Sequence, residues 1–464
     1  MFKGKSVLTK LVFEHLLTSP QRMILLSFSL VIFLGTGLLM LPMSTYDPGS
    51  LHFIDAFFTA TSATCVTGLV TVDVANTFTV FGQVVILLLI QLGGLGIMTF
   101  STFFTFLVFG KLSVSGRNLL IDTFSQNPIQ ELIKLLLTVF IFTITLEFIG
   151  WILLSLKFYE DFSLKHALYL GIFHSISAYC NAGFSILQNS YTGYASDWYF
   201  NLVNILLIIS GGLGFIVILD IRLQFLKHRR HFFESLNLHS KITLVTTAIL
   251  IAGGTLIFFL LESDHILKGQ SFGEKLLASL FQSVTTRTAG FNTVAMDGLA
   301  LPTLYIMSIL MFIGASPGSC GGGIKTTTFA LFIQSLLKQF SNNKDVNVFS
   351  RRIPEFTLSK ATSIVFFAVF TIGLFVFILL TTEIYFGQHQ HQQITFMDIV
   401  FEVVSAFGTV GLSTGITTTL SPIGKVLITI LMYVGRLGPI TLVFALKSSE
   451  ISKIRYMQED ILVG

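Results

Sequence analysis

The chain has 464 residues, 53% of them hydrophobic and only 11% charged, with a mean hydropathy of +0.80 and a formal net charge of +4. Such apolarity exceeds that of a soluble domain of this size, and the modest charge gives no basis for nucleic-acid binding. Three cysteines, Cys65, Cys180 and Cys320, without a CxxC pair, argue against a disulfide framework or a zinc site.

In chain order, residues 1–22 form a basic amphipathic lead-in carrying Lys3, Lys5, Lys10 and Arg22. A first span is predicted from Met23 to Met43, read as retained because no cleavage-type site follows it. The apolar stretch 53–64 is too short to cross a bilayer and suits a re-entrant half-helix. A glycine-centred loop and a second span, 78–109, complete the unit. The same order recurs three times. Its pieces are 132–156, 164–178 and 198–219, then 242–261, 272–285 and 302–337, then 359–384, 396–407 and 426–446. The expected class is an all-α membrane protein in which four pseudo-repeats of span, half-helix, loop and span surround a central pore. The repeats occupy 23–110, 131–226, 240–340 and 357–447, with a C-terminal tail at 448–464.

Lysine and arginine fix the direction. Twenty lie in the two ends and the segments between units, and five lie in the opposite loops (Lys157, Lys165, Lys268, Lys275 and Lys425). The positive-inside rule then places both termini in the cytoplasm of a cell-membrane protein and the glycine loops toward the outside. Arg287, Lys325 and Arg436 remain at membrane depth, where a charge needs a reason.

The loops read FTATSATCVTGLVT, FHSISAYCNAGFSI, FQSVTTRTAGFNT and FEVVSAFGTVGLST, and superpose on Gly68, Gly183, Gly290 and Gly411. Irregular backbone survives at membrane depth only when buried in protein or lining a watery cavity. With small and hydroxyl side chains and no acidic ring, these loops would have to hold a cation with backbone carbonyls, aided by the C-terminal dipoles of the half-helices. The plainer alternative is four tight turns whose glycines only permit close packing. Arg287 is expected to point behind its loop toward a carbonyl or carboxylate, since a charge on the axis would repel cations.

Each second span carries a glycine cluster, at Gly93, Gly211, Gly314 and Gly435. Packing accounts for the first two. The third, 314–328, is too rich in Gly, Ser, Pro and Thr to continue as a helix through lipid and must line the cavity. Gly318, Gly323, Lys325 and Thr326 nearly spell a phosphate-binding loop, but Ile324 intervenes and membrane spans flank it. In the fourth cluster Arg436 stands where Gly94 and Gly212 stand in the first two, suited to act as an electrostatic barrier and as an anchor for the loop opposite.

TTRTAGFNT, the fourfold plan and GASPGSCGGGIKTTT together resemble the superfamily of potassium transporters that includes KtrB, TrkH and the plant HKT proteins. The start of the first unit near residue 22 and the tail RYMQEDILVG look like its KtrB branch. The resemblance implies a potassium filter made of Cys65, Val66, Thr67 and Gly68; Cys180, Asn181, Ala182 and Gly183; Arg287, Thr288, Ala289 and Gly290; and Gly408, Thr409, Val410 and Gly411. It implies a gate made of Gly314, Ser316, Pro317, Gly318, Gly321, Gly322, Gly323, Lys325 and Arg436. It also implies potassium as the transported ion with sodium as a second candidate, no organic cofactor on this chain, a homodimer in the lipid bilayer, and a cytosolic ring of RCK-type, KtrA-like nucleotide-binding subunits. Cys65 and Cys180 depart from the hydroxyl residues that would also fit, so a thiol donor could perturb the outer site.

The competing reading is an alternating-access secondary transporter for another cation or solute, which usually uses inverted repeats. Here every unit runs in the same direction. A membrane enzyme lacks a metal-ligand cluster or an activated nucleophile in the sequence.

Overall fold

The computed structural model describes residues 20–96, 129–227, 231–340, 345–386 and 394–438. The expected segments 1–19, 97–109 and 439–464 lie outside the described residues, and with them much of the charge count used for orientation.

The regular structure of the described residues is helical apart from a short antiparallel pair, β1 (Asn347–Val348) with β2 (Arg351–Arg352). The first repeat consists of α1 (Pro20–Leu39), α2 (Phe53–Cys65) and α3 (Val80–Leu95). The second has α4 (Ile129–Phe158), α5 (Leu164–Tyr179), α6 (Trp198–Leu213) and α7 (Phe215–Lys227). The third has α8 (Leu238–Glu262), α9 (Phe272–Thr285), α10 (Leu301–Phe312) and α11 (Thr326–Gln339). The fourth has α12 (Glu355–Phe386), α13 (Phe396–Gly408) and α14 (Pro422–Leu437). The half-helices α2, α5, α9 and α13 fall within one residue of their expected bounds.

The long first helices α1, α4, α8 and α12 each contain a window long and apolar enough to cross a membrane. Their exposed faces carry large apolar side chains, among them Leu30, Phe33, Ile141, Ile144, Leu256, Leu260, Phe366 and Phe370, the surface that lipid rather than water accepts. Every second helix is shorter than expected. The span predicted over 198–219 breaks at Gly214, and α7 leaves α6 at 100°. Gly96, Gly214 and Gly438 end α3, α6 and α14 with φ of 81°, 88° and 83°, a left-handed turn that glycine makes without a Cβ penalty. In the third repeat α10 stops at Phe312, and irregular backbone leads to α11.

The repeats close on one another. Second helix α3 packs on α5 of the next repeat, α6 on α9, α10 on α13, and α14 returns to α2. The Lys425 ammonium of α14 meets the Asp55 carboxylate of α2 at 2.7 Å, an ion pair that joins the last repeat to the first. Two half-helices begin with reciprocal capping boxes, Ser271 with Glu274 and Thr395 with Asp398, which satisfy their first free amides. The phenylalanine that opens each repeated motif, Phe58, Phe173, Phe281 and Phe401, is fully buried, and so is the residue after each aligned glycine (Leu69, Phe184, Phe291 and Leu412). This apolar pair fastens each loop at both ends, which is why the motif is legible in the sequence.

Candidate ion-conduction site

Gly68, Gly183, Gly290 and Gly411 have φ of 98°, 70°, 78° and 93°. A Cβ on Gly68 would lie 2.6 Å from the Ala182 carbonyl oxygen, and one on Gly183 would lie 2.9 Å from that of Ala289. On Gly290 it would collide with the Val410 oxygen, and on Gly411 with the Thr67 oxygen. Each glycine therefore abuts the carbonyl just before the next repeat's glycine, and the fourth abuts that of the first. The four loops form a closed ring in chain order.

Two residues before each glycine the backbone is again left-handed, at Val66 (57°), Asn181 (57°), Thr288 (67°) and Thr409 (50°). Three of these are β-branched, for which this conformation is a costly outlier. Its recurrence at one position in all four loops marks a geometry that the fold imposes. Alternating left-handed residues with ordinary ones turns successive carbonyls to the same side of the strand instead of to opposite sides.

Polar ties from each half-helix hold the loops. Ser62 Oγ accepts from Gly68 N and Ser405 Oγ from Gly411 N, both at 3.1 Å. Ser177 Oγ donates to Phe184 O at 2.8 Å, and Thr285 Oγ1 to Phe291 O at 2.6 Å. The third loop is one residue shorter between this hydroxyl and its glycine than the second. Arg287 does lie behind its loop, against Ile208, Ile209, Leu213 and Thr247, but its Nε meets no acceptor among the described residues. The expected carbonyl or carboxylate partner for that atom is not there. Nor does the Cys180 thiol face the ring. It lies 3.8 Å from Gln91 Oε1 and 3.9 Å from Glu147 Oε1, behind the loop, where Gln91 also donates to Glu147 at 3.0 Å. Cys65 is fully buried.

Above the glycines opens a mouth of about 1170 Å³ whose lining includes all four of them together with Asp73, Asn76, Asn292 and Asp297.

Below them lies the irregular segment 313–325. Its amides cap the carbonyls left free at the end of α6: Ser316 N donates to Gly212 O at 3.0 Å and Cys320 N to Gly211 O at 3.2 Å. In return Gly318 O accepts from Phe215 N at 3.0 Å, and Pro317 O rests on Gly214. Gly314 packs on Gly322 and Gly323, and Lys325 Nζ donates to Gly321 O at 2.6 Å. The tip touches the underside of the ring. Gly321 abuts Thr288, Gly323 lies against Gly408, and Gly322 N donates to Thr409 Oγ1 at 2.9 Å. Arg436 donates one amino group to Cys320 O and the other to Gly93 O, which ties this segment to the first repeat. Gly93, Gly211 and Gly435 abut the Thr64, Tyr179 and Phe407 carbonyls of their own half-helices, so the packing reading of the first two clusters holds and extends to the fourth.

The description "TrkH: Cation transport protein" matches residues 17–454. The chain belongs to the TrkH family. Among TrkH-family relatives, it is 39% identical to Ktr system potassium uptake protein B of Bacillus subtilis (strain 168) over 96% of this chain and 97% of that one. It is 36% identical to potassium/sodium uptake protein NtpJ of Enterococcus hirae, again over 96% and 97%. The crystal structure of the potassium transporter TrkH from Vibrio parahaemolyticus superposes with a TM-score of 0.70 at 18% identity, covering 90% of this chain and 84% of that one, a likeness of fold.

Proposed function

We propose that this TrkH-family chain is the potassium-translocating membrane subunit of a Ktr-type uptake system, with the four glycine loops as its selectivity filter. The observation that carries the reading is the closed ring in which each glycine abuts a carbonyl of the next repeat. Carbonyl oxygens gathered about one axis can replace the hydration shell of an alkali ion, and the half-helix C-termini add partial negative charge there. The names of the Bacillus and Enterococcus relatives support potassium as the ion, with sodium as the second cation to test.

In this reading the intramembrane segment is the gate. Its contacts with Thr288, Thr409 and Gly408 favour a non-conducting arrangement, since it fills the path directly below the ring, and Arg436 holds it there with positive charge facing an arriving cation. The four repeats act as one pore unit. The chain works as a homodimer in the cell membrane with both termini cytoplasmic, and a KtrA-like nucleotide-binding ring supplies the regulation. In-register repeats around one axis favour this reading over alternating access. Growth of potassium-uptake-deficient cells on limiting potassium tests it: the wild-type chain with its regulatory subunit restores growth, and Gly411→Asp, inserted in the membrane in equal amount, does not.

A further inference from the structure

A second repeated feature lies behind the loops. On each half-helix the residue after the phenylalanine that opens the repeated motif is polar and fully buried: Thr59, His174, Gln282 and Glu402. In three repeats its side chain reaches the strand that leaves the glycine. His174 Nδ1 lies 2.8 Å from Leu170 O, which can only accept, so that nitrogen carries the proton and Nε2 accepts from Ser185 Oγ at 3.1 Å. Gln282 Nε2 donates to Thr293 Oγ1 at 3.3 Å. Glu402 accepts from Ser413 Oγ at 2.7 Å and from Thr417 Oγ1. The hydroxyls pass the tie on, for Ser185 Oγ accepts from Leu187 N and Ser413 Oγ from Gly415 N, each at 3.0 Å. In the first repeat the corresponding pair is unjoined, and Thr59 Oγ1 and Thr71 Oγ1 are both buried without a hydrogen-bond partner among the described residues.

The geometry points to His174, Gln282 and Glu402 as positioning residues that set how sharply the ring discriminates between cations. This rests on the reading of the loops as the filter. Gly411 shows the logic most fully: its own amide is tied to Ser405 and the strand just beyond it to Glu402 through Ser413, both on half-helix α13. A loop tied to its half-helix both at the glycine and just beyond it keeps the ring carbonyls in one arrangement, and their spacing and number are what a filter uses to separate ions of equal charge. Burying a carboxyl to make such a tie is costly compared with an apolar filler of the same size, so the position serves more than packing.

The test is the potassium-to-sodium flux ratio in proteoliposomes for Ser413→Ala, Glu402→Leu, Glu402→Gln and, as a control, Gly411→Ser. Ser413→Ala and Glu402→Leu are expected to lower the ratio roughly fivefold, the factor that corresponds to one hydrogen bond's net worth. Glu402→Gln, which keeps an acceptor oxygen in place, restores most of it. A wild-type ratio in Ser413→Ala and Glu402→Leu, with selectivity lost in Gly411→Ser, overturns the positioning role and leaves the filter reading standing. A wild-type ratio in Gly411→Ser as well overturns both. If Glu402→Leu fails to reach the membrane, Ser413→Ala decides alone, because it removes a single hydroxyl from a half-buried residue.

Discussion

The amide of Gly322 donates to the hydroxyl of Thr409 at 2.9 Å, joining the irregular segment of the third repeat to a ring residue of the fourth. This bond spans 87 residues of sequence and ties the proposed gate to the proposed filter without an intermediary. Thr409→Val removes the acceptor and keeps the β-branched shape in its left-handed backbone. It should favour release of the segment by about 1 kcal/mol, near fivefold in the closed-to-open ratio. Potassium flux in proteoliposomes at matched protein density checks this: faster flux is expected.

Arg436 bridges the same segment, at Cys320 O, to the first repeat, at Gly93 O. Arg436→Ala deletes both bonds and the charge; the bond to Cys320, the one that holds the segment, is a charge-assisted bond of about 2 kcal/mol, so the closed arrangement should weaken roughly 30-fold. Arg436→Lys keeps the charge, but a single ammonium cannot reproduce the planar fork that reaches both partners, so its flux should fall between wild type and Ala. Initial rates of rubidium uptake order the three proteins. Slow uptake together with little folded protein in both variants would make Arg436 a purely structural residue.

The Asp55–Lys425 pair closes the ring of repeats, with both side chains largely withdrawn from solvent at 12% and 16% exposure. Lys425→Met strands the carboxylate and should destabilise the protein by about 3 kcal/mol. Asp55→Asn in the same chain should recover a large part of that loss, because the stranded charge disappears. Thermal unfolding in detergent of both singles and the double variant measures the coupling.

The glycine loops were legible because four copies align on residues that are each obligatory: a phenylalanine that must be buried, a glycine whose Cβ would strike a neighbouring carbonyl, and an apolar residue beyond it. The segment around Ser316 was legible because Gly, Ser and Pro in succession cannot continue a helix through lipid. The breaks at Gly96, Gly214 and Gly438 were not, since a cluster of glycines in an apolar run is compatible with close packing of an unbroken span and only the positive φ distinguishes the two. The left-handed Val66, Thr288 and Thr409 carried no signal, because nothing in a β-branched residue announces that conformation. The ties of His174, Gln282 and Glu402 were readable in part: the position after each phenylalanine is polar in every copy. The third copy, however, is one residue shorter between that position and the glycine than the others, which hides the register. Pairings such as Gly322 with Thr409 depend on the tertiary closure of the ring and have no local sequence signal.

In the proposed function, cation selectivity resides in the carbonyl ring at Gly68, Gly183, Gly290 and Gly411. Its most direct test is the potassium-to-sodium permeability ratio of the purified chain in proteoliposomes, compared with Gly290→Ser. A Cβ at Gly290 must displace the Val410 carbonyl and strain a backbone with φ of 78°, so the account predicts a sharply lowered ratio in a protein that still inserts and folds. An unchanged ratio in a folded, conducting Gly290→Ser protein would contradict it.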